Sequence, residues 1–290
     1  MMSPELVLIA GMGRSGTSAM TRLLSLCGAS LPPNLVPAAP DNPRGFWEPL
    51  ESVALNDRFL ERKNSSWYDP SLAGVRIDNE EALSAEVIAF LRRSFGNKSV
   101  VVLKEPRILS VFELWLRALE TAGFTVKIVH VFRHPDEVVS SLKARDGLLP
   151  EHAQVLWLKY NLASERYTRR LPRMFISYAE ILADPEAAAS RCILELKLSL
   201  TLSDSVRTEI RNFIDPALQH QRAASSGLNL VDPTPNHWIG RTYAALNGAA
   251  RAGLAEVSEF DDIFDSADRL QRFFQAADHG YDLWKFSGQK

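Results

Sequence analysis

Cysteine is scarce, with only Cys27 and Cys192 in 290 residues. Both fall where helices are expected and neither has a partner at metal-ligand spacing, which argues against a zinc site and fits a reducing compartment where thiols stay free. Net charge is nearly absent as well. A formal charge of -2, a pI near 6.3 and no run of basic residues give no electrostatic support to a nucleic-acid or polybasic membrane surface. Long apolar runs are missing too. The stretch Leu6 to Ala10 follows no basic segment and runs straight into Gly11, Gly13 and Arg14, too short for a signal peptide or a membrane span, so the chain reads as cytoplasmic. Internal repeats and low-complexity tracts are also lacking. What is present is ample apolar material: at 46% hydrophobic residues the chain can bury a large core without a metal or disulfide staple.

The apolar runs alternate with helical patterns. Leu6 to Ala10, Ser99 to Leu103, Val126 to Phe132 and Arg173 to Tyr178 read as strands, the first three continuous enough to be buried on both faces. Between them, Ala19 to Cys27, Glu80 to Phe95, Ser110 to Thr121 and His152 to Arg170 carry helical spacing. This alternation predicts an α/β fold with a parallel central sheet, helices on both sides and right-handed crossovers, that is, a P-loop-like three-layer architecture. Leu31 to Pro49 interrupts the rhythm with six prolines and is expected to be a functional loop. Beyond Asp215 the pattern weakens: Ser225, Ser226, Gly227, Pro233 and Pro235 mark a loop before helical spacing around Ile263 to Ala277. The expectation is a single domain over 1–290, with an α/β core in 1–215 and an irregular, mostly helical covering in 216–290.

Gly11-Met12-Gly13-Arg14-Ser15-Gly16-Thr17-Ser18 follows a strand and opens a helix, the setting in which backbone N–H groups and a helix N-terminus cradle an anion. Gly11, Gly16 and Ser18 nearly match the nucleoside-triphosphate loop, but Thr17 stands where that loop has lysine, and Arg14 carries the cation instead. Losing the lysine removes a main device for cleaving ATP.

This loop, a strand ending at Arg133 with Ser141 eight residues on, and a turn at Tyr178 together resemble the sulfotransferase family over roughly residues 5–185. Lys104-Glu105-Pro106-Arg107 is similar to an element of tyrosylprotein and several bacterial members, and Gly45-Phe46-Trp47-Glu48 to one of bacterial members. The resemblance implies that Gly13, Arg14, Ser15, Gly16, Thr17 and Ser18 hold the 5′-phosphosulfate of 3′-phosphoadenosine 5′-phosphosulfate (PAPS), and that Arg133 and Ser141 hold its 3′-phosphate. Tyr178 then belongs on the adenine side, and residues 1–215 form the PAPS-binding core. Arg14 departs from the lysine of cytosolic members but matches bacterial and tyrosylprotein-type ones. Cytosolic members place a catalytic histidine after a later strand, whereas the first histidine here is His130.

Each residue also has a plainer role open to it. Arg133 would pair with a carboxylate, Ser141 would be a surface hydroxyl, Tyr178 would pack in the core and His134 would shape a turn, while Trp47, Trp67, Tyr68, Trp157 and Trp238 would either stack on sugar faces or pack in the core. Glu48 precedes Pro49 and a helix to about Lys63, where a carboxylate complements the helix dipole; its chemical role is general base for an acceptor hydroxyl. Lys104 and Arg14 are the expected partners of Glu48 in catalysis, stabilising the sulfuryl group and the departing phosphate. Arg107 would either recognise an anionic acceptor or steady the Glu48 region.

The expectation is therefore a PAPS-dependent sulfotransferase acting by in-line displacement without metal on an acceptor hydroxyl, that of a carbohydrate first and of a small metabolite second, with neither nucleic acid nor a membrane span as partner. The alternatives are a kinase-like phosphotransferase using ATP and magnesium, with Glu105 as the only near metal carboxylate, and a nonenzymatic nucleotide-binding module.

Overall fold

A computed structural model describes residues 3–72, 80–214, 235–253 and 255–287. Four strands, β1 (Glu5–Ala10), β2 (Val100–Leu103), β3 (Thr125–Phe132) and β4 (Arg173–Ser177), form one all-parallel sheet in the order β2-β1-β3-β4. Parallel pairing needs covered faces, and alternation along β1 shows how both are covered. Val7 and Ile9 pack with Met20, Leu23 and Leu24 of helix α1 (Thr17–Leu26) and Cys192 of α8 (Pro185–Glu195). Leu6 and Leu8 face the other way, into a larger core with Leu55 and Phe59 of α2 (Leu50–Glu61), Phe90 of α3 (Glu80–Phe95), Trp115 of α4 (Phe112–Thr121), Leu142 of α5 (Pro135–Asp146) and Trp157 of α6 (Pro150–Thr168). The result is the expected three-layer α/β fold.

Sheet order fixes where a ligand can bind. The crossover from β1 runs outward to β2 and the one from β3 runs outward to β4, so the chain direction switches between the paired strands β1 and β3. Open parallel sheets hold ligands in the crevice beyond the carboxyl ends of such a pair. The glycine loop leaves β1 at that point, and Arg133 follows β3. Gly11 is needed there: at φ +126°, a Cβ on it would lie 2.1 Å from the Val131 carbonyl oxygen.

Several element ends differ from the sequence reading, each for a local reason. The fourth strand stops at Ser177, not Tyr178, because Ser177 and Glu180 form a capping box that starts α7 (Tyr178–Ala183). The expected helix from Ser110 begins instead as a 3₁₀ turn at Pro106–Val111, started by the proline and by the Glu105 carboxylate accepting the Arg107 N–H at 3.1 Å. Pro150 opens α6 two residues before the expected start. Pro49 is the N-cap of α2 and not part of its first turn. Cys27 is the C-cap of α1 rather than an interior residue.

The proline-rich segment is irregular, pinned by isolated bridges between Leu35 and Pro49 and between Ala39 and Asn42. Beyond α9 (Asp204–Phe213), Pro235 opens α10 (Pro235–Ala252), a helix that the sequence pattern left unresolved, and α11 (Val257–Ser287) extends past both ends of the helical spacing read there. Both pack on α6. The expected loop markers Ser225, Ser226, Gly227 and Pro233 lie outside the described residues.

Candidate active site

Three backbone positions shape the glycine loop, with positive φ at Gly11, Arg14 and Gly16. Gly16 caps α1 without any side-chain hydrogen bond, and no acidic residue occupies the first turn of that helix. The N–H groups there are thus without the side-chain acceptor that usually satisfies them, as an anion-receiving terminus requires. A Cβ on Gly13 would meet nothing within 4 Å, whereas one on Gly16 would strike the Tyr178 ring at 2.2 Å. Gly16 is therefore small because Tyr178 lies on it.

A cluster of basic groups assembles on the β3 side of the loop. Arg133 reaches back to the Arg14 carbonyl at 3.2 Å, pairs with Glu137 at 2.5 Å and places its guanidinium 4.9 Å from the Tyr178 ring centre. Its own carbonyl accepts the Trp157 indole N–H at 3.0 Å, tying it to α6. Arg14 donates through Nε to Ser141 Oγ at 2.9 Å and through its two terminal nitrogens to the Asp41 carboxylate at 3.0 Å and carbonyl at 2.9 Å. Burial, then the neighbouring Arg145 cation, push Arg14 below its ordinary value against the pull of Asp41. Burial likewise raises the Tyr178 phenol, with Arg133 opposing.

A second cluster stands on the β2 side. Lys104 follows β2 directly, is buried, and ion-pairs with Glu48 while donating to the Phe46 carbonyl at 3.3 Å and Ser18 Oγ at 3.4 Å. Ser18 also donates to the Phe46 carbonyl at 3.0 Å, so the start of α1, the proline-rich segment and the β2 edge are tied at one point. Behind Glu48 lies a buried polar chain: Trp115 donates to Asn56 at 2.7 Å, Asn56 donates to Glu105, and Glu105 accepts from Arg107 at 2.7 Å. Arg107 pairs with Asp57 at 2.7 Å and stands 3.9 Å from Glu48. Burial pushes the Glu105 carboxyl up to about 7, with Arg107 pulling it down and the Glu48 charge adding to the rise.

Ten of the eleven residues named from sequence line one cleft: Gly13, Arg14, Gly16, Thr17, Ser18, Glu48, Lys104, Arg133, Ser141 and Tyr178. Ser15 does not line it; its buried hydroxyl has no hydrogen-bond partner among the described residues. Arg14 turns towards Ser141 and Asp41, not into the Glu48–Lys104 pair with which it was expected to act. Asp41 and Arg145, which also line the cleft, escaped the sequence reading. Arg145 was findable, because it falls one helical turn past Ser141 on α5; Asp41 carries no such signal.

His130 and His134 stand apart from the cleft. His134 caps α5 through Nδ1, which accepts the Asp136 N–H at 3.3 Å. His130 is buried within β3, its Nε2 3.0 Å from Asn161 Oδ1, and is absent from the cleft wall. Burial pushes it down to about 4, partly offset by the Asn161 hydrogen bond. Between pH 6.5 and 4 the unfolded chain therefore takes up a proton that the folded chain refuses. Stability present above pH 6.5 is lost on acidification, up to roughly 3 kcal/mol. Urea unfolding at pH 7 and 4.5 should show a smaller loss for His130→Gln than for the parent; equal losses would contradict it.

The sheet, the loop at its switch point and the basic cleft beyond it define the class: a three-layer α/β protein whose ligand cleft opens at the carboxyl edge of β1 and β3. The family model described as "Sulfotransferase family" matches residues 4–201, and the chain belongs to that family. No curated protein matches. Among solved structures, a sulfotransferase domain from the curacin biosynthetic pathway shares 17% identity over 91% of this chain and 97% of its own, with a TM-score of 0.41. Sulfotransferase STF1 from Mycobacterium tuberculosis H37Rv shares 17% over 72% and 71%, TM-score 0.40. A sulfotransferase from Alicyclobacillus acidocaldarius shares 17% over 77% and 98%, TM-score 0.41.

Proposed function

We propose that the protein transfers a sulfuryl group from PAPS to an acceptor hydroxyl, with Glu48 as general base. One observation carries this reading. Glu48 borders both the cleft holding the glycine loop and a second cleft beside it, and it is ion-paired to the lysine that touches the first turn of α1. In the reaction the acceptor O–H gives its proton to Glu48, the acceptor oxygen bonds to sulfur, and the bond from sulfur to the 5′-phosphate oxygen breaks. Adenosine 3′,5′-bisphosphate leaves. Amides 13–18 and Lys104 would stabilise charge on the sulfuryl and 5′-phosphate oxygens, and Arg133 with Ser141 would hold the 3′-phosphate. Arg14, lying on Ser141, serves that end of the nucleotide at least as directly as the reacting centre.

The ATP and magnesium reading loses its carboxylate, because Glu105 is buried and committed to Asn56 and Arg107. Free, buried thiols at Cys27 and Cys192 fit a cytoplasmic setting. Of the two acceptor classes, the lining of the second cleft favours a small metabolite over a carbohydrate.

Calorimetry tests the donor. Adenosine 3′,5′-bisphosphate should bind far better than AMP. Since a charge-assisted hydrogen bond contributes roughly 1.5 to 3 kcal/mol, Arg133→Ala should weaken the bisphosphate about tenfold or more. Equal affinity for the two nucleotides would overturn the assignment.

A further inference from the structure

We infer that the second cleft takes the acceptor, and that the acceptor is an uncharged hydroxyl compound whose body is apolar, not a sugar and not an anion. The inference rests on the proposed reaction, since it assigns the substrate class of the same site.

The cleft is about 310 Å³, at the small end for a ligand pocket, and Glu48 stands at its junction with the donor cleft. The apolar part of its wall includes Met12, Val36, Phe46, Val53, Leu142 and the Tyr160 ring. The charged groups on that wall are already paired. Arg107 faces Glu105 and Asp57, each at 2.7 Å, and Arg145 holds the Asp146 carboxylate through Nε at 2.8 and 2.9 Å and through Nη2 at 2.7 Å. The acids already seated on Arg107 and Arg145 offset those cations, so a carboxylate or phosphate on the acceptor would meet little uncompensated positive charge there.

Sugar recognition needs several polar groups turned into the cleft, and the wall's charged side chains and three of its carbonyls already have partners. The carbonyl of Trp67 accepts from Tyr160 at 3.2 Å and that of Tyr68 lies 2.7 Å from His152 Nε2; next to the wall, the Asp69 carbonyl accepts from Lys159 at 2.5 Å. All three partners are on α6, so α6 holds this segment by its backbone. The Phe46 carbonyl is shared by Ser18 and Lys104. Trp67 is not an open stacking platform either, with Tyr68 centred 3.6 Å from its ring and the Arg145 guanidinium 5.5 Å away. What remains is largely apolar surface with Glu48 at its donor end and the paired Arg107, Arg145 and Asp146 beside it, which suits a single hydroxyl on an apolar body.

Calorimetry on the full chain saturated with adenosine 3′,5′-bisphosphate, using 2-naphthol and methyl β-D-glucoside as probes, tests this. The naphthol should bind at least thirtyfold tighter than the glucoside. Val53→Asp, on the partly exposed face of α2, should weaken the naphthol at least tenfold and leave the bisphosphate unchanged. Undetectable naphthol binding, glucoside binding as tight, or naphthol binding indifferent to Val53→Asp would each overturn the inference. Those failures with bisphosphate binding intact leave the donor reading standing; loss of bisphosphate preference over AMP is what removes it.

Discussion

Glu48→Gln should lower sulfuryl transfer by roughly 10²- to 10⁴-fold, the usual worth of a positioned general base, while affinity for adenosine 3′,5′-bisphosphate stays nearly unchanged. Glutamine keeps the shape and can still accept a hydrogen bond from Lys104, so the variant removes basicity without emptying the site. The neighbouring Glu105 cannot take over, because it is buried and turned towards Asn56 and Arg107. His130 cannot either, since it lies inside β3 and away from the cleft. Single-turnover rates of the two proteins at saturating donor measure the effect. Full activity in Glu48→Gln would place the base elsewhere.

Lys104→Met should cost roughly 10²- to 10³-fold in turnover, the scale on which a preorganised donor at a developing charge matters. Methionine fills the buried channel, so packing is largely kept. Lys104 contacts Ser18, Phe46 and Glu48, and none of the groups expected at the 3′-phosphate. Nucleotide affinity should therefore fall much less than turnover. A parallel loss in both would make Lys104 a binding residue rather than a stabiliser of the transition state.

Much of this site was legible because the chemistry sits where strands end. Buried parallel strands announce themselves as unbroken apolar runs, and Gly11, Lys104 and Arg133 each follow one, so their convergence on one sheet edge comes from topology alone. Register-dependent detail was less visible. Tyr178 read as strand because its neighbours are apolar, yet the Ser177–Glu180 capping box decides its state. Side-chain direction was the least visible. Nothing in the loop sequence shows that Arg14, at φ +71°, swings towards Ser141 and Asp41 while Glu48 goes to Lys104. The long proline-rich segment was rightly expected to be irregular, but which of its residues return to the cleft is set by tertiary contacts with no periodic signature.

A crystal structure of the protein with adenosine 3′,5′-bisphosphate tests the central claim most directly. The 5′-phosphate should lie on amides 13–18 beside Lys104, with the Glu48 carboxylate facing it from the second cleft and the 3′-phosphate held by Arg133 and Ser141. A bisphosphate bound in the reverse sense, or a Glu48 carboxylate turned away from the 5′-phosphate, would contradict the account.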